Sequence, residues 1–165
     1  MKFKQHGKRP DWRALLAVWL TLAVLAAAGF AAYRAWQTSR IGFAVHFVDV
    51  GQGDGAIVVC DGKTLVIDGG TAENGAKMVE YLQNTLHVSK VDFVIGTHPH
   101  ADHIGGLPDV IRACKVKKLY SPVDEFEAKP FETMKRAADD KKLKITVPQA
   151  GQSFSLGRAK VEFLA

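Results

Sequence analysis

The run Thr97-His98-Pro99-His100-Ala101-Asp102-His103 puts three imidazoles and one carboxylate within a few positions of each other. Both ligand types suit zinc. Two such groups two residues apart on a loop can turn toward one ion, while the next pair faces a neighbouring ion. The chemistry this permits is metal-assisted hydrolysis, in which paired ions activate water and stabilise charge on an electrophilic oxygen without a side-chain nucleophile. Pro99 restricts His98 to an extended conformation and stiffens the pair. Gly105-Gly106 lets the backbone pass close beneath the ions.

These side chains need a scaffold, and the hydrophobic pattern supplies an α/β one. Residues 91–97 form a continuous apolar strand that ends at the histidines, so the ligand loop lies at a strand's C-terminal end, where open sheets place ligands. Ahead of it, residues 43–50, 56–60 and 64–68 are short β-branched or apolar runs. They are separated by Gly51-Gln52-Gly53-Asp54-Gly55 and by the turn Asp61-Gly62-Lys63. Met78, Val79, Leu82 and Leu86 recur at helical spacing and predict a helix over residues 73–86. Beyond the metal run the pattern predicts helices over 107–114 and 131–142, the latter with Phe131, Met134 and Ala138 on one face. Strands are predicted over 116–120, 143–147, 152–156 and 160–164.

Three segments together carry a family resemblance. His98-x-His100-x-Asp102-His103 resembles the signature of metallo-β-lactamase-fold hydrolases. Val48-Asp49-Val50-Gly51-Gln52-Gly53-Asp54 and Leu65-Val66-Ile67-Asp68-Gly69-Gly70 narrow the likeness to the extracytoplasmic hydrolase domain of ComEC-type DNA-uptake competence proteins and their stand-alone relatives. The resemblance implies an αββα sandwich and two zinc ions, one held by His98 and His100 and the other by Asp102 and His103, the pair at the catalytic centre. It also implies that Asp68 braces the ligand loop by hydrogen bonding and that Asp54 lines the mouth of the pocket. Read without it, Asp68 is a strand-ending turn carboxylate, and Asp49 and Asp54 are loop caps bonded to their own backbone. The family also has a later histidine, a metal-bridging aspartate and a final histidine. No histidine follows His103, and Asp109, Asp124, Asp139 and Asp140 match none of those positions. The expectation is therefore a domain over 43–165 that carries the first half of the sandwich and is inert by itself.

The N-terminal segment has a different character. Residues 14–33 carry no charge, and at about 1.5 Å per residue they reach across the roughly 30 Å hydrocarbon core of a bilayer. Lys2, Lys4, Lys8, Arg9 and Arg13 precede the run and only Arg34 and Arg40 follow closely. The positive-inside bias thus puts a basic segment, 1–13, in the cytoplasm and the domain outside, joined by a linker over 34–42. Cleavage as a signal peptide, near Ala26-Ala27-Ala28 or Ala31-Ala32, is the alternative and would release a secreted domain. The net charge of +5 resides in this segment, which leaves the rest of the chain near neutral.

Cys60 and Cys114 fall on different predicted elements and read as buried thiols. His6, His46 and His87 read as structural. The basic runs around Arg112, Lys115, Lys117 and Lys118, and around Lys135, Arg136, Lys141, Lys142 and Lys144, are diluted by Asp124, Glu125, Glu127, Asp139 and Asp140. They read as solvated faces, with a polyanion path the sharper alternative. Together these features lead to the expectation of a membrane-anchored extracytoplasmic zinc hydrolase, and the resemblance to competence proteins implies DNA, or another phosphodiester polymer, as its first candidate substrate. Cell-wall phosphodiesters, small esters, lactones or lactams are alternatives, as is a module that only binds metal.

Overall fold

The computed structural model describes residues 12–39 and 42–164. Most of the basic segment, His6, the linker residues Arg40 and Ile41, and Ala165 lie outside the described residues. The chain divides into two compact units, Met1–Arg40 and Ile41–Ala165.

The described residues of the first unit form one helix, α1 (Trp12–Ser39). Its stretch Trp12–Tyr33 is long and apolar enough to cross a membrane. Residues 34–39, assigned to a linker by composition, continue the helix instead. They contain no proline or glycine to stop it.

The second unit is built on a six-stranded sheet whose spatial order follows the sequence: β1 (Phe43–Phe47), β2 (Ala56–Cys60), β3 (Lys63–Ile67), β4 (Lys90–Ile95), β5 (Lys115–Tyr120) and β6 (Ile145–Thr146). The first three strands are antiparallel. Asp61 and Gly62, with φ of 49° and 73°, close the β2–β3 hairpin, and two left-handed residues in a two-residue loop match the twist of the strands. From β3 onward every pairing is parallel. Right-handed crossovers between sequential parallel strands must carry their helices over the same face. Three helices do so: α2 (Gly75–Glu80), α4 (Leu107–Ala113) and α5 (Lys129–Asp140), with the short α3 (Ala101–Ile104) between β4 and α4. Under them Met78, Leu82, Val91, Val94, Ile104, Leu107, Phe131 and Met134 form the main core.

The opposite face is covered in part by a hairpin, β7 (Ser153–Leu156) and β8 (Ala159–Glu162). Leu156 packs on Val58, Cys60 and Leu65, and the Phe154 ring stacks on Phe93 with centroids 4.0 Å apart. Arg158 fastens the hairpin turn to the β2–β3 turn through three guanidinium bonds and one amide bond to Asp61. Those bonds hold the Asp61 carboxyl below the usual carboxylate range. Both cysteines are free and buried.

Two elements depart from the expected outline. The helix over 73–86 is broken into a 3₁₀ turn (Ala72–Asn74), α2 and a π turn (Tyr81–Thr85). At the first break, Gly75 sits so close to α4 that a Cβ would meet Asp109 Oδ2 at 2.5 Å and Gly106 Cα at 3.0 Å. The π turn keeps Leu82 in the core while Tyr81 meets His46. The other departure is α3: the metal run is only partly a loop, because Asp102 and His103 lie on a helical turn. Burial of Ile104 pulls that turn onto the core.

One buried charge predicts a pH dependence. Asp92 is 5% exposed and accepts bonds from Thr64 N and Lys117 Nζ, with Lys63 Nζ 3.6 Å away. Burial alone would push its carboxyl up, but these partners outweigh it and hold the group below the ordinary 3.8. A depressed folded value means stability that is present above the unfolded value and is lost as pH falls through the folded one. Urea midpoints should therefore fall as pH drops below 3.8. Asp92→Asn should cost about 1–3 kcal/mol at neutral pH and flatten that decline. Parallel pH profiles for the two proteins would refute the assignment.

Candidate metal centre

β3 and β4 are parallel, so their C-terminal ends open side by side and bring Asp68 next to Thr97. Asp68 is buried and takes a left-handed φ of 57°, which few residues other than glycine, asparagine and aspartate accept. Its own amide donates to Ile95 O at 2.9 Å, tying β3 to β4. Its carboxylate accepts from Thr97 N at 2.8 Å, from the Thr97 hydroxyl, and from His103 Nδ1 at 3.0 Å. A carboxylate at that nitrogen selects the tautomer with hydrogen on Nδ1 and leaves the Nε2 lone pair free. The same bond holds the His103 imidazole above its usual range against the opposing pull of burial, and the charges of Asp68, Asp102 and Asp54 add to it.

The free edge of His103 faces the other donors. Asp102 Oδ2 lies 3.8 Å from His103 Nε2. His98 Nε2 lies 3.1 Å from His100 Nδ1, and the His98 ring sits 5.7 Å from that of His103. Zn–N bonds of about 2.0–2.1 Å at a tetrahedral angle separate two nitrogens by about 3.3 Å, so the His98–His100 spacing fits one shared ion.

Among the described residues, the group of three donors whose ligand atoms converge closely enough to hold a metal is Asp54, Asp68 and His103, whereas His98–His100 and Asp102–His103 approach only as pairs. The group gathers at His103 Nδ1, 3.6 Å from Asp54 Oδ2. That nitrogen and the Asp68 carboxylate are bonded to each other, and the other donors stand as two close pairs, His98 with His100 and Asp102 with His103, on an open donor face. Asp54 stands exposed at the edge of the group.

Backbone contacts join the three motif segments. Asp54 N donates to Asp102 O at 3.2 Å, Gly69 N to His103 O at 2.7 Å, Gly70 N to Asp54 O at 2.7 Å, and Gly106 N to Gly70 O at 3.0 Å. Gly53 comes so near α3 that a Cβ would meet Asp102 O at 1.9 Å. Sequence reasoning gave no role to Thr97 or to Gly53. The threonine's place directly after a strand and before the histidines was the available signal. Asp49 accepts from Gly51 N at 3.0 Å, as a loop cap does.

The remaining candidates lie apart from these donors. His46 Nδ1 is 3.1 Å from the Tyr81 hydroxyl, and His87 Nδ1 is 3.2 Å from Gln83 O. In the basic runs, Arg112 pairs with Asp109, Lys117 with Asp92 and Lys135 with Glu125.

Comparison with known proteins gives this arrangement its family. The family model described as Metallo-beta-lactamase superfamily matches residues 48–165. The chain belongs to that superfamily. It is 28% identical over 108 residues to rubredoxin-oxygen oxidoreductase of Megalodesulfovibrio gigas, covering 66% of this chain and 26% of the relative. It is 29% identical over 121 residues to the uncharacterized protein YcaI of Escherichia coli, covering 68% and 16%. Recombination protein 2 of Haemophilus influenzae is 29% identical over 109 residues, covering 63% and 14%. The chain thus spans between 14% and 26% of the length of these relatives. Among solved structures, the Rm3 metallo-beta-lactamase superposes with a TM-score of 0.53 at 18% identity, covering 72% of this chain and 48% of that one. The rubredoxin oxygen:oxidoreductase from Desulfovibrio gigas does so with a TM-score of 0.54 at 22%, covering 74% and 33%. These likenesses establish the mixed α/β metallo-beta-lactamase fold. Superfamily members bind metal ions, commonly zinc, and the imidazole and carboxylate donors gathered here fit that chemistry.

Proposed function

We propose that this chain is the catalytic-site half of a membrane-anchored, extracytoplasmic zinc hydrolase that cleaves phosphodiesters, with DNA the first candidate. The observation that carries the hydrolase reading is the open donor face, oriented from behind by Asp68. His98 and His100 would hold one ion, and Asp102 and His103 the second. Each pair supplies two of the three protein ligands that a catalytic zinc keeps, so the complete centre draws further donors from polypeptide outside the described residues. When bound, the ions supply Lewis acidity toward water and toward a phosphoryl oxygen. The protein's own part is positional. Asp68 fixes the His103 tautomer, Thr97 anchors the loop to Asp68, and the exposed Asp54 carboxylate lies beside His103, where it can accept a proton from water.

The DNA preference is supported by the motif resemblance to competence proteins and by the similarity to recombination protein 2. Orientation is supported by the basic residues ahead of α1. The similarity to rubredoxin-oxygen oxidoreductase favours a second reading, redox chemistry at the same donors, since imidazole and carboxylate also suit iron.

Membranes carrying the complete protein should hydrolyse bis(p-nitrophenyl) phosphate. Chelator should abolish turnover, zinc should restore it, and His100→Ala should lack it. Restoration by iron with oxygen consumption, and none by zinc, would support the redox reading instead.

A further inference from the structure

Beside the donor face the C-terminal ends of β4 and β5 diverge around a cavity of about 340 Å³. Gly96 and Thr97 form one wall, Tyr120, Ser121 and Pro122 another, and Phe163 closes it beyond β8. Thr97 thus belongs to two structures: it lines this cavity, its amide and hydroxyl are bonded to Asp68, and His98 follows it directly. A group in the cavity is therefore one residue away from the first ligand of the metal run.

The character of the walls is specific. The ring centroids of Tyr120 and Phe163 are 5.1 Å apart with a tilt of 55°, so an aromatic corner is already assembled. Tyr120 is 3% exposed and stacks in parallel on Phe154, which locks its ring. Ser121, 2% exposed, brings an aliphatic hydroxyl to this wall beside the phenol of Tyr120. Its Oγ accepts from Val123 N at 3.4 Å, which leaves the hydroxyl hydrogen available to donate. No charged side chain lines the cavity. A volume near the lower end for ligand pockets, with mostly apolar walls and few polar groups, suits one planar ring system and neither an extended polymer nor a free anion.

The geometry points to a base-binding subsite: this cavity takes the nucleobase next to the scissile phosphodiester, stacking it in the Tyr120–Phe163 corner with Ser121 as hydrogen-bond donor. The assignment of the ring as a nucleobase rests on the phosphodiesterase reading above. The subsite would place a phosphate near the donor face by holding its neighbour, and it would favour nucleic acid over phosphodiesters lacking aromatic groups.

The test measures equilibrium binding of adenosine and of ribose to the full chain in detergent, with and without zinc. Adenosine should bind in either condition, and ribose should bind at least about tenfold more weakly, since stacking one base contributes on that scale. Phe163→Ala, which removes half of the corner, and Pro122→Trp, which fills the cavity from its exposed rim, should each weaken adenosine binding about tenfold while zinc content stays unchanged. Equal affinity for adenosine and ribose would overturn the subsite, as would variants that bind adenosine like the parent. Adenosine binding that responds to both variants in a protein that does not hydrolyse bis(p-nitrophenyl) phosphate would uphold the cavity and refute the phosphodiesterase reading.

Discussion

Replacing Asp68 by Asn should weaken zinc binding about 10–100-fold with little change in fold stability, whereas Asp68→Ala should lose both. The carboxylate is 2% exposed and receives three donors: the Thr97 amide, the Thr97 hydroxyl and His103 Nδ1. An asparagine keeps a carbonyl for the Thr97 amide and tolerates the φ of 57°. Its NH₂ group, however, would face groups that now donate to oxygen. His103 Nδ1 would then have to accept, which moves the imidazole hydrogen to Nε2, the nitrogen that faces Asp102. A ligand whose lone pair points away from the ion is lost without any change of position. Alanine removes the acceptor altogether, strands buried donors and strains the backbone, for a combined cost of about 3–5 kcal/mol. Competition with a chromophoric chelator measures the first effect and urea unfolding the second. Wild-type zinc affinity in Asp68→Asn would show that Asp68 has only a structural role.

The contrast between Asp68 and His103 shows what the sequence could reveal. The run from His98 to His103 stands out in the sequence because its residue types are uncommon together and its spacing is local. The turn after β2 was legible for the same reason, although its expected extent, Asp61-Gly62-Lys63, was one residue too long: Lys63 already pairs with Cys60 in β3 and the loop is Asp61-Gly62 alone. The alternation of strands and helices fixed the α/β class, because burial on one face imposes a period on each element. What stayed hidden depends on contacts between distant segments. Nothing near residue 81 announces that the helix must widen there to keep Leu82 buried beside Tyr81, and nothing near Asp102 announces a helical turn. That turn follows from where Ile104 meets the core. The pairing of Asp68 with His103 Nδ1 spans 35 positions. No local pattern encodes it.

Gly53→Ala should show how tightly those distant segments are fitted. Gly53 has a φ of 98°, and Gly62, in the β2–β3 turn, has one of 73°, so alanine is strained at both by about 1–2 kcal/mol. Their surroundings differ. A Cβ at Gly62 meets nothing within 4 Å, whereas at Gly53 it would meet Asp102 O at 1.9 Å and Asp102 C at 2.8 Å. Those are backbone atoms of α3, so no side-chain rotation relieves the overlap. Either the 51–55 loop lifts, which breaks the Asp54 N to Asp102 O bond, or α3 shifts and takes Asp102 and His103 with it. Gly53→Ala should therefore cost about 3–5 kcal/mol and lower zinc affinity at least tenfold, while Gly62→Ala costs about 1–2 kcal/mol and leaves zinc binding intact. A pair of urea titrations and a pair of zinc titrations distinguish the cases. Equal losses in the two variants would mean that backbone strain alone accounts for Gly53. The close approach of the glycine loop to the metal helix would then have no part in shaping the site.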